Sequence, residues 1–203
     1  KSLRGVLYFM GIIIVGSIAL TILALTTLLV FVGNRMSKNL SGNKKKWWVI
    51  AHVIFVIMYF AGLLGELVMA VSTTLSNFEE HIYAAHLYIL FFDNFLIIPG
   101  GFGCLITGIW IAVRTNWGFA KYYWIIAKWI GNIVAILLGS AIIGLRIHNS
   151  IPKILSLDLY PLQNQAYLNN RIMLFVGITI CLVILLFLVG ISYLKPWGKR
   201  TTV

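Results

Sequence analysis

The sequence predicts an all-α integral membrane protein: a five-transmembrane-helix bundle with its functional core in helices two to four. Three observations carry this reading. The chain is 61% hydrophobic with a mean hydropathy of +0.96, too apolar for a water-soluble core of this size. It holds apolar runs of about 20 residues or more, long enough to cross a bilayer. The three middle runs carry ionisable residues in register. Such groups cost several kcal/mol in hydrocarbon unless paired, hydrated or ligated, so the three faces are expected to turn toward one another and form one polar seam.

The spans are expected near Val6–Gly33, Trp47–Ser72, Ile82–Val113, Tyr122–Leu145 and Ile172–Leu194, in one transmembrane domain over residues 1–203. The first run has only Ser17 and threonines as polar residues and is too long for a signal peptide. A chain starting at Lys1 rather than Met is expected to be trimmed or processed. In the second span His52, Tyr59 and Glu66 recur every seven residues, two turns of helix. In the third, His86, Asp93, Gly100, Thr107 and Arg114 do the same. Its Pro99-Gly100-Gly101-Phe102-Gly103 stretch predicts a kink and close helix approach, with room for something flat or bulky. In the fourth, Lys128, Asn132, Gly139 and Arg146 lie at helical spacing. The outer segment 146–171 is the one long loop, with Pro152 and Pro161. It either caps the seam or simply connects. The fifth span carries Thr179 and Cys181 but no central charge, and is expected to flank the core as the first does.

The formal charge of +11 is placed at the ends of apolar runs, where it sets topology and meets lipid headgroups; this argues against nucleic acid as a partner. Arg35, Lys38, Lys44, Lys45 and Lys46 fill the first linker. The loop Arg114–Lys121 and the tail Lys195–Arg200 are also basic, and five spans put all three on one side. The positive-inside rule makes that side cytoplasmic in a multi-pass cell-membrane protein, with the N-terminus outside and the C-terminus inside. Lys1, Arg4, Arg146, Lys153 and Arg171 weaken the bias without reversing it. Trp47, Trp48, Trp117, Trp124 and Trp197 form an interfacial belt at the same surface. Cys104 and Cys181 lie within apolar segments and read as small buried hydrophobes.

A b-type haem, one or two per chain, explains much of the polar pattern. It needs an apolar slot, one or two axial imidazoles and cations for its propionates. His86 and His148 can share one iron near the outer face, with Arg146 near a propionate or paired with Glu66 or Asp93. His52 can ligate another near the inner face, with Lys128 and Arg114 beside the propionates. No CxxCH motif predicts covalent attachment. Each group has a plainer reading. His86 and His148 are the kind of residue that hydrogen-bonds at an interface, and His81 follows Glu79 and Glu80 in a solvated turn. Lys128 can snorkel to the headgroups. Glu66 and Asp93 serve either as a proton path or as charge partners. His52 is deeper and shares a face with Glu66.

The stretch Trp47-Trp48-Val49-Ile50-Ala51-His52-Val53-Ile54-Phe55-Val56, followed by Ala61-Gly62-Leu63, resembles the first helix of HemJ-type protoporphyrinogen oxidases and of related CopD-like membrane proteins. The segments Gly108-Ile109-Trp110 and Trp124-Ile125-Ile126-Ala127-Lys128 are similar to the same family's helix end and Trp-x-x-x-Lys helix. The likeness covers about residues 47–140. It implies b-type haem binding by the histidine and a functional lysine, at His52 and Lys128 by position. The extra first span and the longer outer loop depart from the family pattern, so a haem protein of related architecture is expected rather than a porphyrinogen oxidase as such.

The expected function is electron transfer within or across the membrane, with oxidoreductase as the enzyme class in view and a quinone, a porphyrin or a reactive oxygen species as partner. The alternatives are a haem-free ion-coupled transporter using Glu66, Asp93 and Lys128, and an accessory subunit whose seam binds another membrane protein. A homo-oligomer is compatible with either.

Overall fold

A computed structural model describes residues 3–36, 39–146 and 161–200, with five helices long and apolar enough to cross a membrane. They are α1 (Leu3–Arg35), α2 (Gly42–Leu75), α3 (Glu79–Val113), α4 (Tyr123–Gly144) and α5 (Gln165–Leu194). The chain is an all-α bundle of multi-pass membrane type, as its hydropathy predicts. Exposed apolar side chains such as Ile57, Val68, Phe91, Phe95, Val183 and Phe187 form its lipid-contacting surface.

The basic segments meet at one end of the bundle. Leu40 N donates to Arg114 O at 3.0 Å, and Arg200 N to Lys121 O at 2.9 Å. Lys45 Nζ and Lys195 Nζ lie 5.2 and 5.7 Å from the centre of the same Trp117 ring. These contacts tie together the α1–α2 linker, the α3–α4 loop and the tail. The helices therefore alternate in direction, with α2, α3 and α4 running side by side past the seam.

The central helix is α3. Of the residues in its most apolar stretch 56% are buried, against 28% in α2 and α5, 17% in α4 and 6% in α1. Only α1 is peripheral. The fifth helix, expected to flank, packs as deeply as α2, because Tyr167, Asn170, Leu174, Gly177, Cys181, Leu185, Leu188 and Ile191 recur at helical spacing and are all buried. It also begins earlier than its hydropathy suggests. Asn164 Oδ1 accepts from Ala166 N and Tyr167 N at 3.0 and 3.2 Å, satisfying two donors of the first turn. Polar residues 165–171 of the expected outer loop are thereby helical.

Glycine sets the spacing of α2 and α3. A Cβ on Gly100 would fall 2.7 Å from Tyr59 N and 2.9 Å from Tyr59 Cα, and one on Gly62 would fall 2.6 Å from Ile97. The Phe55 ring lies directly over Gly103. The expected kink is present in another form. Residues Asp93–Ile97 form a π-helical turn, and Ile98 N reaches back to Asp93 O. Proline crowds the carbonyl four residues before it, and the widened turn just ahead of Pro99 relieves that crowding. The glycines do not leave the expected room, because Tyr59 and Phe55 fill the space they open. A second π-helical stretch, Gly139–Gly144, ends α4.

Backbone cannot move aside as a flexible side chain can. Gly100→Ala is therefore expected to destabilise the protein by about 1–3 kcal/mol, the usual cost of overpacking. Gly139→Ala, where a Cβ meets nothing within 4 Å, should leave stability close to wild type. Thermal unfolding of the two variants in detergent separates these outcomes, and an unchanged Tm for Gly100→Ala would contradict the close approach.

Candidate functional site

The seam is real, but it divides into two clusters. Toward the basic end, His52 Nδ1 lies 2.8 Å from Thr107 Oγ1. Thr107 Oγ1 itself donates to Gly103 O, one turn back on α3, at 2.6 Å. A hydroxyl has one proton. Since that proton goes to Gly103, the Nδ1–H of His52 donates to Thr107, and in the neutral ring the lone pair sits on Nε2. No described residue gives that nitrogen a hydrogen bond. Gly108 makes room for the ring, since a Cβ there would meet His52 Cε1 at 3.3 Å.

Lys128 on α4 is a neighbour of both His52 and Cys104. Its Nζ donates to Ser192 Oγ on α5 at 3.0 Å and lies 6.0 Å from the Trp124 ring centre. Asn132, one turn further along α4, donates to Gly101 O at 3.2 Å and fastens α4 to α3. The histidine and lysine singled out by resemblance thus lie in one region, beside the Cys104–Gly108 stretch of α3.

Arg114 has a different task. Its Nη1 donates to Met36 O at 2.8 Å and Gly33 O at 3.2 Å. Carbonyls at a helix C-terminus lack intrahelical donors and carry partial negative charge. Arg114 therefore caps α1, and this nitrogen is engaged with backbone.

Toward the other end, Glu66 is 0% exposed, and neither carboxyl oxygen has a hydrogen-bond partner. Asp93, at the start of the π-helical turn, is its charged neighbour. Of the partners expected for Arg146, Glu66 is not hydrogen-bonded to it. Arg146 Nη1 donates to Asn170 Oδ1 at 3.2 Å, because α5 brings its polar first turns alongside. Arg171 donates to Thr73 O at 3.3 Å. His86 is fully buried, as its place in the repeat predicts, and its ring centre lies 5.6 Å from that of Tyr167. His86 Nδ1 donates to Ile82 O at 2.9 Å, and Nε2 is buried without a hydrogen-bond partner. The proposed partner of His86, His148, lies outside the described residues. His81 is exposed, as expected, and stands edge-on to Phe78, but it lies in the first turn of helix α3 and not in a connecting turn.

Sequence reasoning missed the contribution of α5: Ser192, Asn170, Arg171 and Tyr167. The available signal was the spacing of Tyr167, Asn170, Gly177 and Cys181 through an otherwise branched apolar run. Compared with known protein families, curated proteins and solved structures, the chain matches none.

Arg114→Ala removes two hydrogen bonds made by a charged donor, each worth about 1.5–3 kcal/mol by general experience. It is expected to lower Tm and to speed protease cleavage in the α1–α2 linker. Equal cleavage rates in variant and wild type would mean that α1 is held some other way.

Proposed function

We propose that the chain is a haem b-binding redox protein that transfers electrons within or across the membrane. His52 would hold the haem iron, and Lys128 would offer its charge to an acidic substituent of the porphyrin. The observation that carries this is the ordered hydrogen-bond chain from His52 Nδ1 through Thr107 to Gly103 O. It fixes the ring from behind and leaves Nε2 as the free donor atom, the arrangement in which a histidine holds a metal.

A porphyrin brings four nitrogens of its own and asks the protein for one or two ligands. Bound haem would supply one-electron chemistry. The chain's own residues then have separate tasks. Thr107 orients His52. Gly108 keeps α3 clear of the ring. Lys128, steadied by Ser192, offers positive charge to an acidic substituent. His86 has the same proton arrangement and is the candidate ligand for a second haem. A quinol, a porphyrinogen or a reactive oxygen species would exchange the electrons. The basic end faces the cytoplasm in this reading, and the N-terminus lies outside.

A visible spectrum of the purified protein tests the proposal. A Soret band and reducible α bands are expected. His52→Ala should lower haem content or change the spectrum while the protein still inserts, and Thr107→Val should do so more weakly by freeing the ring. A colourless, intact wild-type protein would overturn the haem reading, and an unchanged haem-to-protein ratio and spectrum in His52→Ala would remove that residue from the site. Orientation is tested separately. In Gly42→Cys the thiol should be labelled only after permeabilisation, and labelling from outside intact cells would reverse the topology.

A further inference from the structure

We infer that the basic end of the bundle holds a binding site for the phosphate headgroup of an anionic membrane lipid, centred on Trp117 and closed by Lys45, Lys121 and Lys195. The site uses none of the residues of the haem proposal. Three segments far apart in sequence supply it. Lys45 lies in the first turn of α2, Lys121 near the end of the α3–α4 loop, and Lys195 just after α5. Lys45 Nζ and Lys195 Nζ stand 5.2 and 5.7 Å from the centre of the Trp117 ring, which confines the two ammonium groups to one small neighbourhood. Lys121 Nζ donates at 3.1 Å to the carbonyl of Asn116, the residue before Trp117.

A lysine at the end of a span ordinarily extends toward water and headgroups, apart from other cations. Here three are gathered about one loop. Of the described acidic residues none is at this end: Glu66, Glu79, Glu80 and Asp93 all lie in the other half of the bundle. Lys44, Lys46, Lys199 and Arg200 add to the positive field. A phosphate placed within it relieves part of the mutual repulsion and accepts hydrogen bonds from more than one ammonium group at once. The lining selects a lipid over a free anion. Trp117 is half-buried, and Trp47, Tyr193 and Leu194, each within two residues of Lys45 or Lys195, are 71%, 88% and 73% exposed. Side chains of this kind sit at the headgroup level and against the upper acyl chains of a bilayer. A lipid satisfies both the amines and the apolar flank, and a free phosphate only the amines.

The test titrates the purified full chain in detergent with dioleoylphosphatidylglycerol or dioleoylphosphatidylcholine and counts bound lipid by native mass spectrometry. The two lipids share acyl chains and a phosphodiester and differ in net charge. One phosphatidylglycerol is expected to bind before any other lipid, and more tightly than phosphatidylcholine. A lysine near an anionic lipid surface is worth about a fivefold change in affinity, so Lys45→Gln/Lys195→Gln should weaken this first binding event by about 25-fold. Lys44→Gln/Lys46→Gln removes the same charge one residue to either side of Lys45 and should weaken it far less. Lys45→Arg/Lys195→Arg, which keeps both charges, should bind as the wild type does. Inorganic phosphate should displace the lipid no better than chloride at the same ionic strength. Equal affinity of the wild type for the two lipids overturns the inference, and that comparison needs no variant. So does an equal loss in the two glutamine double variants, which describes a diffuse basic surface. Displacement by inorganic phosphate beyond that by chloride overturns it as well, since the site then takes free anions.

Discussion

The close approach of α2 and α3 at Gly100 and Tyr59 is the constraint on which the rest depends. With backbone against backbone at this point, the antiparallel register of the two helices is set. Moving two turns toward the basic end pairs His52 with Thr107, which the hydrogen bond records. Moving two turns the other way brings Glu66 to Asp93. Each step is seven residues on both helices, so one contact aligns both polar clusters. A slip by one turn would separate His52 from its acceptor and carry Glu66 past Asp93. Small residues serve here as they do in membrane bundles generally. Without a hydrophobic drive between helices, close packing holds them together.

Close packing also removes water and lipid from the groups it aligns. Polar side chains so enclosed must find partners within the bundle. Most do. Thr107 uses a carbonyl of its own helix, Asn132 a carbonyl of α3, Lys128 the hydroxyl of Ser192, and Arg171 the carbonyl of Thr73. Glu66 and the Nε2 of His86 are the conspicuous exceptions among these seam residues. Unmet polar groups in an otherwise satisfied interior are where a ligand, an ion or a proton has most to contribute. The two clusters differ in this respect. The basic-end cluster presents an oriented lone pair near a lysine, and the other presents a buried carboxyl and a buried imidazole nitrogen without hydrogen-bond partners.

The fold was largely legible in the sequence because it depends on hydropathy and length, which are summed over many residues. The five spans and the shared basic end follow from that averaging. The facing of His52, Glu66 and His86 was legible for a similar reason. A charged or imidazole group repeating every seven residues in an apolar run has one inexpensive direction to face. Three things were not legible. The depth of α5 was hidden because Asn, Tyr and Ser at helical spacing weigh little in a hydropathy average. A π-helical turn stands where a simple kink was expected, because a proline in the sequence signals crowding of the preceding turn but not the form its relief takes. The Arg146–Asn170 hydrogen bond was hidden because it depends on α5 beginning at Gln165, a boundary fixed by the Asn164 cap.

Arg114 and Lys128 show why residue type and depth alone do not assign a role. Both are cations on seam helices near the basic end, and both suit a propionate equally well on paper. What separates them is the kind of partner each one holds. Arg114 Nη1 is engaged with two carbonyls at the end of α1, a peripheral helix with little buried surface and few other anchors. Lys128 Nζ has one recorded hydrogen bond, to a hydroxyl, and an ammonium group has three donors. The same reasoning applies to the histidine. His52 is oriented by what lies behind it: Gly103 O takes the hydroxyl proton, the hydroxyl oxygen takes the imidazole proton, and the free electron pair is left on the far side of the ring. Reversing any one of these donors would reverse the ring's polarity. A hydroxyl on α3, which by itself looks like an ordinary helix residue, therefore determines which nitrogen of His52 is available for chemistry.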